Sequence, residues 1–349
     1  MDSRIQRMKD STPPKPGGVA VCGRLTRRIL VILAGVGLLG AGPVSGAGEV
    51  AACDRLKDCV RQLKYGETIP IREMAARRLG ELGDKRAGEA LVFALERDPG
   101  EYVRAYAARA MGRLGLTGTL KLLAAALRDD RQETVRQAAA AALGDLGVPQ
   151  GVAPLRAVLA GDAEWVVRRE AAISLGRIAD TGGVAGLTAA LKGDGRWEVR
   201  QAAAVSLGQQ GTDGRQGVGG LVTALKEDGH ERVRQAAARS LAKAKTKGVE
   251  DPLLEALAQD PSPLVRREAA ETLGFQGGEK SVVPLIQVVK QDGDLTVRIR
   301  AVETLTVRGG DEAYQALLYY SRHAASPRLR RAAKEGLEAL EAKQSAQAK

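Results

Sequence analysis

The segment DAEWVVRREAAISLG, residues 162–176, decides the fold because eight variants of it recur along the chain. Its Val167-Arg168 pair returns every 32 residues, with a single step of 34 between Val199 and Val233. The other pairs are Ile71-Arg72, Val103-Arg104, Val135-Arg136, Val199-Arg200, Val233-Arg234, Val265-Arg266, Val297-Arg298 and Leu329-Arg330. A constant period of this length is typical of repeat proteins, in which every unit contributes one small helical or stranded motif.

Each unit contains the pattern of an amphipathic helix. We number positions from the first residue of the Val-Arg pair, so that Ala171 is at position 4 and Leu175 at position 8. Positions 0, 4 and 8 share one face of a helix, and Ala occupies position 4 in all nine units. We therefore predict that a neighbouring helix packs too closely there for a larger side chain. A Gly such as Gly176 usually follows the Leu, and a second apolar helix, marked by Leu187 and Leu191, completes a two-helix unit.

Seven units also carry an Asp five residues before the Val, in the turn that leads into the helix. Its carboxylate is expected to accept hydrogen bonds at the helix start and to meet the Arg of its own or an adjacent repeat. We call this predicted series the Asp-Arg ladder, and we expect each rung to contribute about 1–3 kcal/mol. Its predicted members are Asp98, Arg104, Asp130, Arg136, Asp162, Arg168, Asp194, Arg200, Asp228, Arg234, Asp260, Arg266, Asp292 and Arg298. The first and last units have Gly66 and Ala324 instead of Asp, as terminal caps would.

These motifs resemble HEAT repeats, specifically the short subclass that also occurs in phycobilisome lyases, over about residues 53–340. The resemblance implies an all-α fold, a right-handed α-solenoid of about nine helical hairpins with the Val-Arg helices on its concave side. It also implies a scaffold that binds proteins or peptides.

Two kinds of enzyme are built from similar repeats. Deoxyhypusine hydroxylase binds two irons through several His-Glu pairs, whereas this sequence has one, His230-Glu231, which we interpret as a solvated turn. We therefore expect no enzymatic activity, no cofactor and no metal site. An accessory enzyme resembling the bilin lyases stays as the alternative, although no chromophore pocket can be located in the sequence.

The concave surface, formed by positions 2 and 6 of the Val-Arg helices, is the candidate binding site because residues four apart face outward together. Position 6 changes along the chain from basic through apolar to acidic. The predicted partner-binding residues are Arg109, Gln137, Arg169, Ile173, Gln201, Val205, Gln235 and Arg239. In the alternative interpretation, neighbouring helices partly cover Ile173 and Val205, and the order of charges has no function.

Trp165 and Trp197 lie two residues before a Val in adjacent repeats, so they are expected about 10 Å apart along one edge of the solenoid. Tryptophan is a frequent interface anchor. The two rings are therefore possible edge anchors for a partner, or each ring seals its own turn against the next helix.

Residues 1–47 have the pattern of a signal peptide: a basic polar start, an apolar run at 29–41, and small residues at 45–47. We predict cleavage after Ala47 and export to the periplasm or the extracellular space. The apolar run is short of the ~20 residues that a membrane-spanning helix needs, but an inner-membrane anchor formed by residues 29–44 is the alternative. The solenoid would then occupy residues 48–340, followed by a polar tail at 341–349.

Without residues 1–47 the net charge falls from +11 to +6, because that segment holds seven basic and two acidic residues. Because this charge is small, we expect a protein or peptide partner and no nucleic acid. We also expect a monomer, with membrane contact only if the N-terminal segment is retained.

Export would place Cys53 and Cys59 in an oxidising compartment. On a regular helix the two residues would lie ~9 Å apart along the axis, which is too far for a disulfide. A bridge requires the helix to begin after Cys53, and two buried thiols are the alternative.

Overall fold

A computed structural model describes residues 53–210, 215–244 and 248–347. These residues form eighteen α-helices and no strand. The helices are α1 Leu56–Tyr65, α2 Ile69–Leu82, α3 Gly88–Arg97, α4 Glu101–Arg113, α5 Leu120–Asp129, α6 Glu133–Leu146, α7 Val152–Gly161, α8 Trp165–Ile178, α9 Val184–Gly193, α10 Trp197–Gln209, α11 Arg215–Glu227, α12 Glu231–Leu241, α13 Glu250–Gln259, α14 Pro263–Gln276, α15 Val282–Gln291, α16 Leu295–Arg308, α17 Asp311–His323 and α18 Pro327–Gln347.

Helices pair in chain order into hairpins, and each hairpin packs on the hairpins before and after it. The even-numbered helices carry the Val-Arg pairs. They pack against one another more extensively than the odd-numbered helices do, which is the arrangement that curves a solenoid toward the even-numbered side. The prediction of an α-solenoid of HEAT-like hairpins is confirmed.

The buried stripe of the Val-Arg helices forms the interior. In α8, Val167 and Ala171 are fully buried, and Leu175 is 1% exposed. All nine alanines at position 4 are 0% exposed, as their recurrence predicts. An aliphatic core this thin depends on the neighbouring repeats, because one hairpin alone would leave both of its faces in water.

Glycine at position 9 allows adjacent Val-Arg helices to approach closely. A Cβ atom placed on Gly144 would lie 2.6 Å from Ser174 Oγ and 2.9 Å from Ser174 Cα, which belongs to position 7 of the next repeat. At the last interface the glycine changes sides, since Thr306 occupies position 9 and Gly336 faces it from position 7. At these interfaces one member of the pair is glycine, whereas between the units of Val233 and Val265 the pair is Ala242 and Thr272.

The two ends of the solenoid test the predicted disulfide and the predicted polar tail. Helix α1 begins at Leu56, after Cys53, so the chain can fold back and join Cys53 to Cys59 in a disulfide with a Cα–Cα distance of 5.1 Å. Residues 341–347 of the predicted polar tail continue helix α18. The predicted signal peptide, residues 1–47, lies outside the described residues. Within the described residues, no helix combines the length and apolar character needed to cross a membrane.

Candidate functional site

Seven arginines of the Val-Arg pairs each bind the Asp of the following repeat through two hydrogen bonds. Arg136 shows the geometry: its Nε donates to Asp162 Oδ2 at 2.7 Å and its Nη2 to Oδ1 at 3.0 Å. Its Nη1 donates to the carbonyl of Asp130, in its own turn, at 2.9 Å. Side chains in the seven rungs are 10–18% exposed for Arg and 5–12% for Asp. Each arginine thus ties one turn to the next with charge-assisted bonds that little water reaches.

The ladder differs from its prediction in two details. Arg72, which the prediction omitted, binds Asp98 and starts the series. Among the described residues, Arg298 reaches no carboxylate and donates to the carbonyl of Val289 at 2.7 Å, because Ala324 occupies the Asp position of the next repeat. The carboxylates accept hydrogen bonds at the helix start: Asp98 Oδ1 accepts from the N–H of Gly100, the residue before helix α4, and so closes a tight turn.

One rung spans the extra residues of the 34-residue step. Arg200 binds Asp228 at 2.7 and 2.9 Å, as closely as the rungs between 32-residue repeats.

Burial alone would raise the pKa of the neighbouring Asp194 carboxyl. Hydrogen bonds from the Arg168 guanidinium and the Arg196 N–H outweigh that effect and hold its pKa below the usual value.

Each tryptophan contacts the residue that precedes the next Val-Arg helix. The Arg196 guanidinium lies 4.8 Å from the centre of the Trp165 ring. The His230 ring stacks on Trp197 with 4.1 Å between ring centres, and its Nδ1 accepts from the N–H of Arg232. Both rings are half-buried, so they cover the turns between repeats. His230 was predicted to be a solvated turn residue, whereas it packs on Trp197 and caps helix α12.

At the centre of the concave surface, the two apolar candidates differ in exposure. Val205 is 40% exposed, whereas Ile173 is half-buried and packs on the core. Gln201 is half-buried and Arg169 is exposed. The structure therefore leaves Val205 as the main apolar contact that a partner would meet at the centre.

Toward the C-terminal end, charges on the concave surface are paired within the protein. Arg239 donates to both carboxylate oxygens of Glu268 at 2.8 and 2.7 Å, and Gln235 donates to the same carboxylate at 3.2 Å. The bond to Glu268, which is 4% exposed, raises the pKa of Arg239. Arg300 likewise pairs with Glu271 and Glu303. Position 3, which provides Glu268 and Arg300, was not considered from the sequence because one helix pattern does not show which side chain crosses to the next repeat.

Toward the N-terminal end, the concave surface contains an open groove of about 470 Å³ between α2, α4 and α6. It brings together two predicted residues, Arg109 and Gln137. Its other polar lining residues are Arg77, which shares position 6 with Arg109, and five that sequence analysis missed: Glu81, Tyr102, Tyr106, Arg113 and Thr134. They stand mainly at positions −1, 3 and 10, which flank positions 2 and 6 on the same helical face. We call this site the basic groove.

The HEAT-repeat family model matches residues 56–144, 88–175, 152–216 and 218–306, and so covers most of the solenoid. The chain belongs to the HEAT-repeat family. A search of curated protein sequences finds no match to this chain.

Three solved structures are similar to this chain at 22–24% sequence identity. The YibA protein of Escherichia coli is 22% identical, with 71% of this chain and 91% of that one covered and a TM-score of 0.52. The complex of CpcE and CpcF of phycocyanin lyase from Nostoc sp. PCC7120 is 24% identical, with 72% and 94% covered and a TM-score of 0.40. Human deoxyhypusine hydroxylase is 22% identical, with 76% and 99% covered and a TM-score of 0.34.

Proposed function

We propose that this HEAT-repeat protein is a non-enzymatic scaffold of the bacterial cell envelope that binds a protein partner on its concave surface. The observation that carries the proposal is Val205, an apolar side chain 40% exposed in the middle of that surface. Buried arginine-aspartate rungs hold the repeats on either side of it. A surface held rigid in this way loses little conformational entropy on binding, which favours recognition of a partner.

A matched pair of valines tests the binding surface. Val205 lies on α10, in the concave surface, and Val283 lies on α15, an odd-numbered helix, and is 53% exposed. Wild-type protein, Val205→Glu and Val283→Glu would each be used to capture partners from the native envelope after crosslinking. We expect a protein retained by wild type and Val283→Glu to be lost from Val205→Glu, because a carboxylate in an apolar contact costs several kcal/mol unless it is paired.

Both valines are exposed, so all three proteins are expected to melt within about 2 °C of one another. Identical capture by all three proteins would exclude Val205 and the centre of the concave surface as the binding site.

The proposed location needs a separate test. Cell fractionation followed by N-terminal sequencing is expected to place the protein in the periplasm or medium, with Gly48 as its first residue. A full-length N-terminus in the membrane fraction would replace the exported scaffold with a membrane-tethered one, and a cytoplasmic protein would contradict both.

A further inference from the structure

The two ends of the concave surface differ in how their charges are satisfied. At the C-terminal end, Glu271 and Glu303 pair with Arg300, and Glu335 pairs with Arg331 at 2.7 Å. These carboxylates are therefore largely neutralised by their own neighbours. A partner would gain little by bringing a positive charge to that end.

The basic groove at the N-terminal end has unpaired cations. Arg109 and Arg113 line it, and neither has a hydrogen-bond or ion-pair partner within the described part of the chain. Glu81, the acidic residue of the lining, already binds Arg77 at 3.4 Å and Arg78 at 3.1 Å. The groove therefore has a surplus of positive charge that an anionic ligand would neutralise.

Polar and aromatic groups in the same groove point to a peptide. Thr134 Oγ1 is buried and has no hydrogen-bond partner among the described residues, and Gln137 also lines the groove. Such a hydroxyl and amide can pair with the N–H and C=O groups of an extended chain. Tyr102 is 49% exposed and offers an amphipathic ring for a side chain of the ligand.

The spacing of the two arginines along α4 fits an extended peptide. Arg109 and Arg113 are one helical turn apart on α4, which places them about 6 Å from each other at Cβ. Carboxylates two residues apart on an extended peptide are separated by about 6.5–7 Å, which matches that interval. Arg77, on the adjacent Val-Arg helix about 10 Å away, adds a third guanidinium group to the lining.

We propose that the basic groove binds an acidic, extended peptide segment of the partner protein, with Arg109 and Arg113 as its main contacts. This inference rests on the proposed scaffold function and specifies the chemistry of the partner. Val205 lies three repeats from Arg109, about 30 Å away, so the two sites can be tested independently.

Fluorescence anisotropy with fluorescein-labelled hexaglutamate tests the groove on the purified protein. The double variant Arg109→Glu/Arg113→Glu removes the two cations. The control, Lys121→Glu/Lys192→Glu, makes the same change in net charge at exposed positions of α5 and α9, on the odd-numbered helices. We expect binding at least about tenfold weaker in the arginine variant, stronger binding of hexalysine by it, and less than about a twofold change in the control.

Several outcomes would overturn the proposal. These are no binding of hexaglutamate to wild type, equal weakening in both double variants, or displacement by tripolyphosphate or hexathymidylate at lower concentration than by unlabelled hexaglutamate. The last result would indicate a compact anion or a nucleic acid as ligand. If hexaglutamate binding fails while Val205→Glu still loses its captured protein, the groove assignment alone is wrong; the opposite pattern contradicts the central binding surface alone.

Discussion

Replacing Gly144 with alanine should destabilise the protein, whereas the same replacement at Gly219 should stabilise it. Both glycines lie inside helices, Gly144 in α6 and Gly219 in α11. A Cβ on Gly144 would lie 2.6–2.9 Å from atoms of Ser174, while a Cβ on Gly219 would meet no described atom within 4 Å. The pair thus separates helix propensity from packing between repeats.

The magnitudes follow from two opposing terms. Alanine gains about 1 kcal/mol over glycine inside a helix, and Gly219→Ala should keep most of that gain. At Gly144 the new methyl group needs about 1 Å more room to reach a normal contact distance of ~3.5–4.0 Å, and such overpacking costs about 1–3 kcal/mol. Contact with the Ser174 backbone places the cost in the upper part of that range, so we expect a net loss of about 1–2 kcal/mol.

Thermal and urea unfolding of the two variants are the assay. We expect the melting temperature to fall by about 2–6 °C for Gly144→Ala and to rise by about 1–3 °C for Gly219→Ala. Adding Ser174→Gly to Gly144→Ala places the glycine on the other helix, as in the Thr306–Gly336 pair. It should recover at least about 1 kcal/mol of coupling free energy. Shifts of the same sign in both alanine variants, or strictly additive effects in the double variant, would refute the packing argument.

Two further predictions concern the Asp-Arg ladder. Asp162→Asn leaves the Arg136 guanidinium, 14% exposed, without its carboxylate, and should cost about 2–4 kcal/mol of unfolding free energy. Its control, Asp145→Asn, interrupts an exposed pair of 3.4 Å and should cost less than about 0.5 kcal/mol. Because the pKa of Asp194 is lowered in the folded protein, its stabilising contribution is present at neutral pH and is lost as the pH falls from about 4 through that lowered pKa. The stability difference between wild type and Asp194→Asn should therefore shrink between pH 7 and pH 2.

Urea titrations at a series of pH values measure both effects. Equal costs for the two asparagine variants at positions 162 and 145 would show that burial adds nothing to a ladder rung. A wild-type advantage over Asp194→Asn that stays constant from neutral to acid pH would contradict the lowered pKa in the folded protein.

The repeat pattern by itself determined most of the fold. A 32-residue period with Val, Ala and Leu at positions 0, 4 and 8 predicted the two-helix unit and the fully buried alanines, because helix periodicity is a local property of the chain. The repeat pattern also predicted which residues form the Asp-Arg ladder, since its Asp and Arg residues occur at fixed places in the unit. The arginine partners could not, because an Arg can reach its own turn or the next one until the distance between repeats is known.

Tertiary structure decided the features that depend on separations between helices. Ile173 and Val205 occupy equivalent positions in adjacent repeats, yet one packs on the core and the other is 40% exposed. The basic groove combines side chains from three Val-Arg helices, and the polar residues that sequence analysis missed, Thr134 among them, come from positions that look unremarkable in any single repeat. A periodic sequence specifies what each helix presents to its neighbours. How far those neighbours cover it depends on side-chain sizes in adjacent repeats, and packing alone sets that outcome.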